Sequence, residues 1–207
     1  MKLIIFVFFG LCTVSFCYLG VDISELYSTS GYQCLVNNDY HFAIPRGYCS
    51  PGYVDPNVRQ NILNARAGGM SYVDAYIFPC VPCANPEEQA NSLVDWIAGY
   101  DYGMIWIDVE PWAWSGDKGV NQDFIRRMAN QLKNRGQNIG IYTNNNGWSQ
   151  IVGSWTEMAS LPLWWAYWDN DPSYSVFYPF GGWSKFAIKQ YVGDTEVCGL
   201  SVDLDFY

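Results

Sequence analysis

The chain has 207 residues, of which 50% are hydrophobic and 18% aromatic, and its formal net charge is −9 at pH 7. An acidic balance of this size opposes binding to nucleic acid or to an anionic membrane surface, so neither is an expected partner. The length fits one domain with a large core.

The first 17 residues have the layout of a secretory signal peptide. Lys2 gives a basic start, an apolar run extends from Leu3 to Leu11, and small or polar residues follow at Thr13 and Ser15. This run is shorter than the roughly 20 residues of a membrane-spanning helix, so no membrane anchor is expected. We predict a signal peptide at residues 1–17 and one domain at 18–207; the alternative is a buried N-terminal helix.

Cysteine usage fits an oxidising compartment. Beyond the predicted signal peptide the cysteines are Cys34, Cys49, Cys80, Cys83 and Cys198. A secreted chain favours disulfides, and a structural zinc site is not expected because there is no second close cysteine pair and His41 is the only histidine. Our working pairing joins Cys80 with Cys83 and Cys34 with Cys198, and leaves Cys49 free. The spacing alone leaves other pairings open.

Short strand-like runs alternate with helical or loop-like stretches along the chain. Helices are predicted at 56–67 with Asp55 as N-cap, from Pro86 after the cap Asn85, and at 121–135, while the Pro-, Gly- and Tyr-rich stretch 168–183 predicts a loop. The predicted strands cover residues 20–24, 41–47, 72–78, 104–110, 138–143, 162–168, 185–191 and 201–206.

This alternation predicts an α/β fold with a parallel sheet. Eight strands favour a single closed, TIM-like (β/α) barrel. The chain is short for that fold, so some helices must be missing or shortened. An open doubly wound sheet is the alternative.

The segment 103–111 carries the clearest chemical signal. Side chains alternate along a strand, so Ile105, Ile107 and Val109 share one face and Asp108 and Glu110 share the other. Pro111 ends the strand, which places both acids at its C-terminal end, where barrel active sites lie. Two carboxylates this close in a poorly solvated mouth repel each other, so one pKa rises and that group becomes a proton donor near neutral pH.

Matching acids stand at both ends of the domain. Asp22 lies between apolar Val21 and Ile23, and Asp203 and Asp205 alternate with apolar residues near the C-terminus. The first and last strands of a closed barrel are neighbours, so we expect Asp22 and Asp203 to converge on the mouth that holds Asp108 and Glu110. The competing interpretation is that each acid caps a helix or ends a strand in solvent.

These pieces resemble the family 25 glycoside hydrolases, the Chalaropsis-type lysozymes, in the eukaryotic form of nematodes and amoebae. The resemblance runs in order through nearly the whole predicted domain, and the Asp-x-Glu strand is its most specific piece. The matching segments are Gly20–Ser24, Phe42–Arg46, Tyr76–Cys80 with Cys83, Ile107–Glu110, Gly140–Thr143, Leu163–Asp169, Gly181–Trp183, Lys189–Tyr191 and Val202–Leu204.

The resemblance implies a barrel muramidase that hydrolyses the β-1,4 bond between N-acetylmuramic acid and N-acetylglucosamine in peptidoglycan, in digestion of or defence against bacteria. Glu110 matches the general acid. Asp108 matches a neighbouring carboxylate that either assists the substrate's acetamido group or serves as a base in an inverting reaction. Asp22 and Asp203 match acids that orient substrate or water. The family needs no metal or cofactor.

The sequence departs from the family pattern at two places. Asp205 stands where related sequences often have Asn, and Cys49 stands beside Tyr48 where a non-cysteine is expected. An extra carboxylate at 205 either raises local pKa values or faces away. Neither departure removes a catalytic group.

Aromatic side chains near strand ends are candidate sugar platforms, because Trp and Tyr combine a flat apolar face with a polar tip. Each of them also fits an ordinary role in the core. The candidate substrate-binding residues are Tyr48, Tyr76, Tyr142, Trp168 and Gln190.

Two other functions compete with the lysozyme interpretation. One is a barrel that binds peptidoglycan or another glycan without cutting it, and the other is a hydrolase of a different N-acetylated glycan such as chitin. We expect a monomer that is secreted or delivered to the lumen of a lysosome- or phagosome-type digestive compartment, with bacterial peptidoglycan as its partner.

Overall fold

A computed structural model describes residues 18–83 and 85–207. The predicted signal peptide therefore lies outside the described residues. In this part of the chain the strands are β1 (Leu19–Ile23), β2 (Tyr40–Cys49), β3 (Tyr53–Val54), β4 (Tyr72–Val73), β5 (Ala75–Ile77), β6 (Met104–Asp108), β7 (Asn138–Thr143), β8 (Leu163–Ala166), β9 (Ile188–Val197) and β10 (Leu200–Phe206). The helices are α1 (Thr29–Asn37), α2 (Val58–Ala67), α3 (Pro86–Trp96), α4 (Lys118–Asn134) and α5 (Asn145–Val152), with a short 3-10 helix at Glu157–Ser160.

Eight of the strands close into a barrel, as the sequence predicts. The hydrogen-bonded order runs β1-β10-β9-β8-β7-β6-β5-β2, and pairing of β1 with β2 closes the ring. The short strands β3 and β4 add to β2 outside this ring. Closure excludes the open doubly wound alternative.

The expectation of an all-parallel sheet is wrong at β10, which runs antiparallel to both β1 and β9. Only Cys198 and Gly199 join β9 to β10, and both have positive φ, at 59° and 71°. Two central residues with positive φ form the hairpin turn that connects antiparallel strands, whereas a parallel crossover needs a dozen or more residues. The hairpin therefore reverses the last strand.

Two cores follow from the alternation of side chains along the strands. On β6, Ile105 and Ile107 belong to the outer core between barrel and helices, while Trp106 points into the barrel interior. A Cβ at Gly140 would lie 2.2 Å from the Trp106 ring, so β7 needs glycine there. The interior core comprises Phe42, Ile44, Trp106, Tyr142, Trp164 and Ile188.

The helices confirm some cap predictions and correct others. Asn85 caps α3 through the Glu88 N–H (2.7 Å), as expected. The N-cap of α2 is Asn57, not Asp55. Asp55 instead accepts the Asn57 N–H (2.9 Å) with one oxygen and pairs with Arg46 (2.9 Å) through the other.

Helices α1 and α5 were not predicted, since they are short and rich in Ser, Asn and Gly, which are weak helix formers. Their N-caps, Ser28 and Asn144, and burial of one face against the barrel hold them in place.

Within residues 18–83 and 85–207 the structure has the disulfides Cys34–Cys198 and Cys80–Cys83, which are the pairs of the working assignment. Cys49 is a buried free cysteine. The first bridge ties the β9–β10 hairpin to α1, and the second closes a loop before α3. No helix of residues 18–83 and 85–207 is long and apolar enough to cross a membrane.

Candidate active site

Four carboxylates converge on one rim of the barrel. Asp108 is the last residue of β6, and Glu110 follows two residues later. Asp22 on β1 is paired directly with Asp203 on the antiparallel strand β10. The two pairs repel each other across the mouth, since Asp203 raises the pKa of Glu110 and Asp22 raises that of Asp108.

The two acids of the Asp-x-Glu strand differ in exposure. Asp108 is buried (4% exposed), and its Oδ1 has no hydrogen-bond donor among the described protein groups. Glu110 is half-buried and lines the cleft. Glu110 can therefore reach a ligand, while Asp108 lies at the floor beside it.

Burial and mutual repulsion raise the pKa of every acid in this group. Desolvation raises the pKa of Asp108 well above its ordinary value, with Glu110 and then Asp22 adding to it. Burial, and then Asp203, raises the pKa of Glu110. Burial also raises the pKa of Asp203, and it raises that of Asp22 strongly. The cluster therefore holds protons that isolated carboxyls would release.

Arg46 on β2 forms its ion pair and hydrogen bond away from the four acids. Arg46 pairs with Asp55 and donates to the Ser24 carbonyl (2.9 Å). In the described part of the chain, none of the ion pairs includes Asp22, Asp108, Glu110 or Asp203. No group of three or more His, Cys, Asp or Glu among these residues has metal-binding geometry.

Gln190 links the acids to the aromatic side chains. Its Nε2 donates to Asp22 Oδ2 (2.7 Å) and to Asp203 Oδ2 (3.3 Å). Its Oε1 accepts from Tyr142 OH (2.9 Å) and from Trp168 Nε1 (2.8 Å). Because Gln190 is buried and makes these four hydrogen bonds, it fixes the orientation of Asp22 and Asp203.

A cleft of about 630 Å³ opens beside Glu110. Trp168 is 60% exposed although its indole N–H is held by Gln190, so its ring face is presented to the cleft. Tyr178 is 57% exposed. The lining residues are Glu110, Tyr142, Asn144, Asn145, Asn146, Ser149, Trp165, Ala166, Tyr167, Trp168 and Tyr178.

The loop that carries Trp168 and Tyr178 is anchored by a buried lysine. Lys189 is fully buried, and its Nζ contacts Asp169 Oδ2 (2.8 Å) and the Asp171 carbonyl (2.8 Å). The same ammonium lies over the Trp165 and Tyr167 rings. The loop is therefore held against β9 at its start.

Most candidate binding residues reach the site, but Tyr48 does not. Tyr76 lies in the interior near Asp22 and Asp108, which both raise its pKa after burial. Tyr48 is buried in the outer core. A register shift between Arg46 and Tyr48, opposite Tyr76 and Ile77, interrupts the alternation and turns Tyr48 outward.

Several cleft residues were missed. Asn144–Asn146 follow the C-terminal end of β7, a position that could have marked them. Tyr167 directly follows β8, and Tyr178 lies in the irregular loop before β9. Such segments have no periodic pattern from which the side facing the cleft could be predicted.

Comparison with known proteins gives consistent matches. A family model described as Lysozyme-like protein 1 matches residues 14–191. "Probable GH family 25 lysozyme 4" of Dictyostelium discoideum is 43% identical over 192 residues, covering 92% of this chain and 90% of that protein. "Lysozyme-like protein 5" of Caenorhabditis elegans is 41% identical over 193 residues, covering 90% of each.

Solved structures share the fold. A bacterial lysozyme from Streptomyces coelicolor superposes with a TM-score of 0.74 at 22% identity, over 90% of each chain. A muramidase from Trichobolus zukalii gives a TM-score of 0.73, also at 22% identity, over 90% of this chain and 91% of that one. At this identity the likeness supports the barrel architecture alone.

Proposed function

The chain belongs to the family 25 glycoside hydrolase lysozymes, and from this premise we propose that it hydrolyses the β-1,4 bond between N-acetylmuramic acid and N-acetylglucosamine, with Glu110 as general acid. The observation that carries the assignment of Glu110 is its position. It is the half-buried acid of the Asp-x-Glu strand, it lines the cleft, and burial and Asp203 raise its pKa.

Glu110 donates its proton to the glycosidic oxygen as the bond from that oxygen to the sugar's C1 breaks. As that bond breaks, the acetamido oxygen of the same sugar bonds to C1; water then displaces this oxygen, leaving its hydroxide on C1 and giving its remaining proton to Glu110. A raised pKa keeps Glu110 protonated at a pH where an ordinary glutamate is ionised, which the first step requires.

Asp108 orients the group that attacks C1. We assign Asp108 to accept the N–H of the substrate's acetamido group, so that the acetamido oxygen faces C1. In the alternative, Asp108 activates a water and the reaction inverts. The anomeric configuration of the first product separates the two: retention supports acetamido assistance, and inversion supports a base.

Asp22 and Asp203 stand beside the reacting centre as an oriented pair. Gln190 holds both, and the Asp194 N–H donates to Asp203 Oδ1 (2.6 Å). We assign them to orienting substrate or water. Tyr142 and Trp168 line the cleft, and the open face of Trp168 suits stacking on an apolar sugar face.

The site of action follows from the substrate. We propose that residues 18–207 are the catalytic domain, that residues 1–17 direct export, and that the monomeric enzyme acts outside the cell or in a digestive compartment. The apolar start of the chain and its cysteine usage support this proposal.

Mass spectrometry of digests tests the bond assignment. Purified peptidoglycan and chitin oligomers are incubated with the enzyme, and the new reducing ends are identified. The proposal predicts N-acetylmuramic acid at the reducing end and no cleavage of chitin. Chitin cleavage without peptidoglycan cleavage would favour another N-acetylated glycan, and wall binding without products would favour a binding barrel.

A further inference from the structure

Asp205 is a buried carboxyl inside the barrel that the catalytic assignment does not use. It lies two residues below Asp203 on β10, and it is fully buried. Its Oδ1 accepts from Trp164 Nε1 (2.7 Å), while its Oδ2 has no donor among the described protein groups. The departure from the family pattern therefore faces the interior.

The neighbour of Asp205 in the interior is Asp22. In the β1–β10 register Asp205 lies opposite Gly20 and Asp203 lies opposite Asp22, so Asp22 and Asp205 are diagonal neighbours on the same face of the barrel wall. At this spacing the two carboxyl groups are within reach of one hydrogen bond. Two carboxyl groups can share a hydrogen bond only if one of them is protonated, because an ionised carboxylate has no donor. The pair therefore needs one proton.

The surroundings decide which member carries that proton. Asp22 accepts the Gln190 amide, and this hydrogen bond favours the ionised form of Asp22 against the effect of burial. Asp205 has only the Trp164 indole and no exposure. The unpartnered Oδ2 of Asp205 is thus the oxygen best placed to carry the proton.

The other groups facing Asp205 do not neutralise a charge there. The titratable neighbours are Asp22 on β1, Asp203 on its own strand and Tyr191 on β9. Trp164 on β8 is uncharged, and none of the ion pairs in the described part of the chain includes Asp205.

We propose that Asp205 is a positioning residue of the lysozyme site, which stays protonated and donates its hydrogen bond to ionised Asp22. Asp205 then holds the Asp22 carboxylate by a hydrogen bond from inside the barrel, in addition to the hydrogen bond that Gln190 donates to it. It removes one negative charge from a crowded cluster while leaving Asp22 charged. This role rests on the proposed function, because it presumes that Asp22 takes part in the reaction.

The electrostatics agree with this geometry. Burial raises the pKa of Asp205 well above its ordinary value, and repulsion by Asp22 adds to the rise. For Asp22, the hydrogen bond from Asp205 lowers the pKa against the effect of burial.

Two substitutions test whether position 205 needs a neutral hydrogen-bond donor or a negative charge. Asp205→Asn keeps a donor for Asp22 and an acceptor for Trp164 but cannot ionise, whereas Asp205→Ala loses both. We expect Asp205→Asn to retain kcat at acidic pH and Asp205→Ala to lose about tenfold in kcat with little change in KM. If Asp205→Asn falls as far as Asp205→Ala, the proposal is overturned, since a charge at 205 would then be required.

The pH profile gives a second readout. A neutral Asp205 does not act on Glu110, so Asp205→Asn should leave the alkaline limb of kcat/KM in place. Asp203→Asn is the matched control, because Asp203 raises the pKa of Glu110 and its loss should move that limb to lower pH. Movement of the limb in Asp205→Asn would contradict a protonated Asp205.

The pH dependence of the free energy of unfolding tests whether Asp205 is protonated, and it needs no activity assay. A folded carboxyl with a raised pKa stabilises the fold below its unfolded pKa and loses that contribution as pH rises toward the folded pKa. Over that interval one such proton changes the unfolding equilibrium by about tenfold per pH unit. We expect Asp205→Asn to show a weaker loss of stability than wild type from pH 4 upward in urea titrations. Identical slopes would overturn the proposal, even if the enzyme proved inactive on peptidoglycan.

Discussion

Glu110 and Asp108 are separated by one residue, yet their surroundings give them different tasks. Glu110 is half-buried at the cleft wall, while Asp108 is buried below it. Strand alternation alone places both on one face, so the sequence predicts the pair. The division of labour depends on depth in the barrel, which no local pattern encodes.

The pKa of Glu110 should respond to one identified neighbour. Burial raises it first, and Asp203 raises it next. Glu110 works in its protonated form, so kcat/KM falls as pH rises through its pKa. Asp203→Asn removes the repulsion, lowers the pKa of Glu110, and should move the alkaline limb to lower pH.

A pH–rate profile of Asp203→Asn against wild type measures that shift. Asp101→Asn is a suitable control, since Asp101 is an exposed acid paired with Arg66 (3.0 Å) and not with the cluster. An unchanged limb in Asp203→Asn would argue that another group controls the acid.

At the same scale, Tyr48 shows where residue patterns fail. Continued alternation along β2 would bring it to the mouth, but the register shift after Arg46 turns it into the outer core. A bulge of this kind depends on pairing with β5, which a single strand sequence does not contain. The same holds for Asp205, whose interior position was one of two interpretations.

At the scale of elements, Lys189 anchors the loop that carries the cleft aromatics. Replacing it with Met keeps most of the volume but leaves the Asp169 carboxylate and the Asp171 carbonyl without their ammonium partner. We expect Lys189→Met to raise KM for peptidoglycan by about tenfold with a smaller effect on kcat, because Trp168 loses its fixed position.

Steady-state kinetics on soluble peptidoglycan fragments measure that split. Lys185→Met is the matched control, since Lys185 is exposed and lies four residues away. A Lys189→Met variant with normal KM and reduced stability alone would show that the lysine has only a structural role.

The two disulfides should differ in their contribution to stability. Cys34–Cys198 spans 164 residues and Cys80–Cys83 spans 3. Loop-closure entropy assigns about 5 kcal/mol to the long bridge and about 2 kcal/mol to the short one, as upper estimates. The Cys34→Ser/Cys198→Ser variant should therefore unfold at a clearly lower denaturant concentration than the Cys80→Ser/Cys83→Ser variant.

Urea titrations of both double variants make that comparison under one set of conditions. The free energies of unfolding are the quantity to compare, with the wild type as reference. Equal losses would indicate that the local packing of each bridge outweighs loop length.

Elements with strong local signals were the predictable ones. Helix α3 has both Asn85 at its cap and Pro86 at its first position, so its start follows from the sequence, and β7 has an apolar run with a clear end, so both of its bounds do. Helices α1 and α5 depend on packing against the barrel. The antiparallel β10 depends on a two-residue turn at Cys198 and Gly199, whose left-handed backbone is not evident from the residue types alone.

For the whole molecule, barrel closure turns distant residues into one site. Asp22 and Asp203 are far apart in sequence, and pairing of β1 with β10 places them side by side. The expectation of a closed eight-strand barrel was enough to predict this meeting. The number of strands and their order therefore predict that Asp22 and Asp203 meet. The aromatic side chains of the cleft wall lie on an irregular loop, and their positions do not follow from the strands.

We propose that this barrel cuts peptidoglycan through Glu110. Release of reducing ends from purified peptidoglycan, wild type against Glu110→Gln, measures it most directly, with Glu196→Gln as an exposed glutamate control. We expect activity in wild type and in the control, and a loss of about 100-fold or more in Glu110→Gln with the fold unchanged. A folded Glu110→Gln enzyme that retains wild-type activity would contradict the assignment of the acid, and an inactive wild type that still binds the wall would contradict catalysis itself.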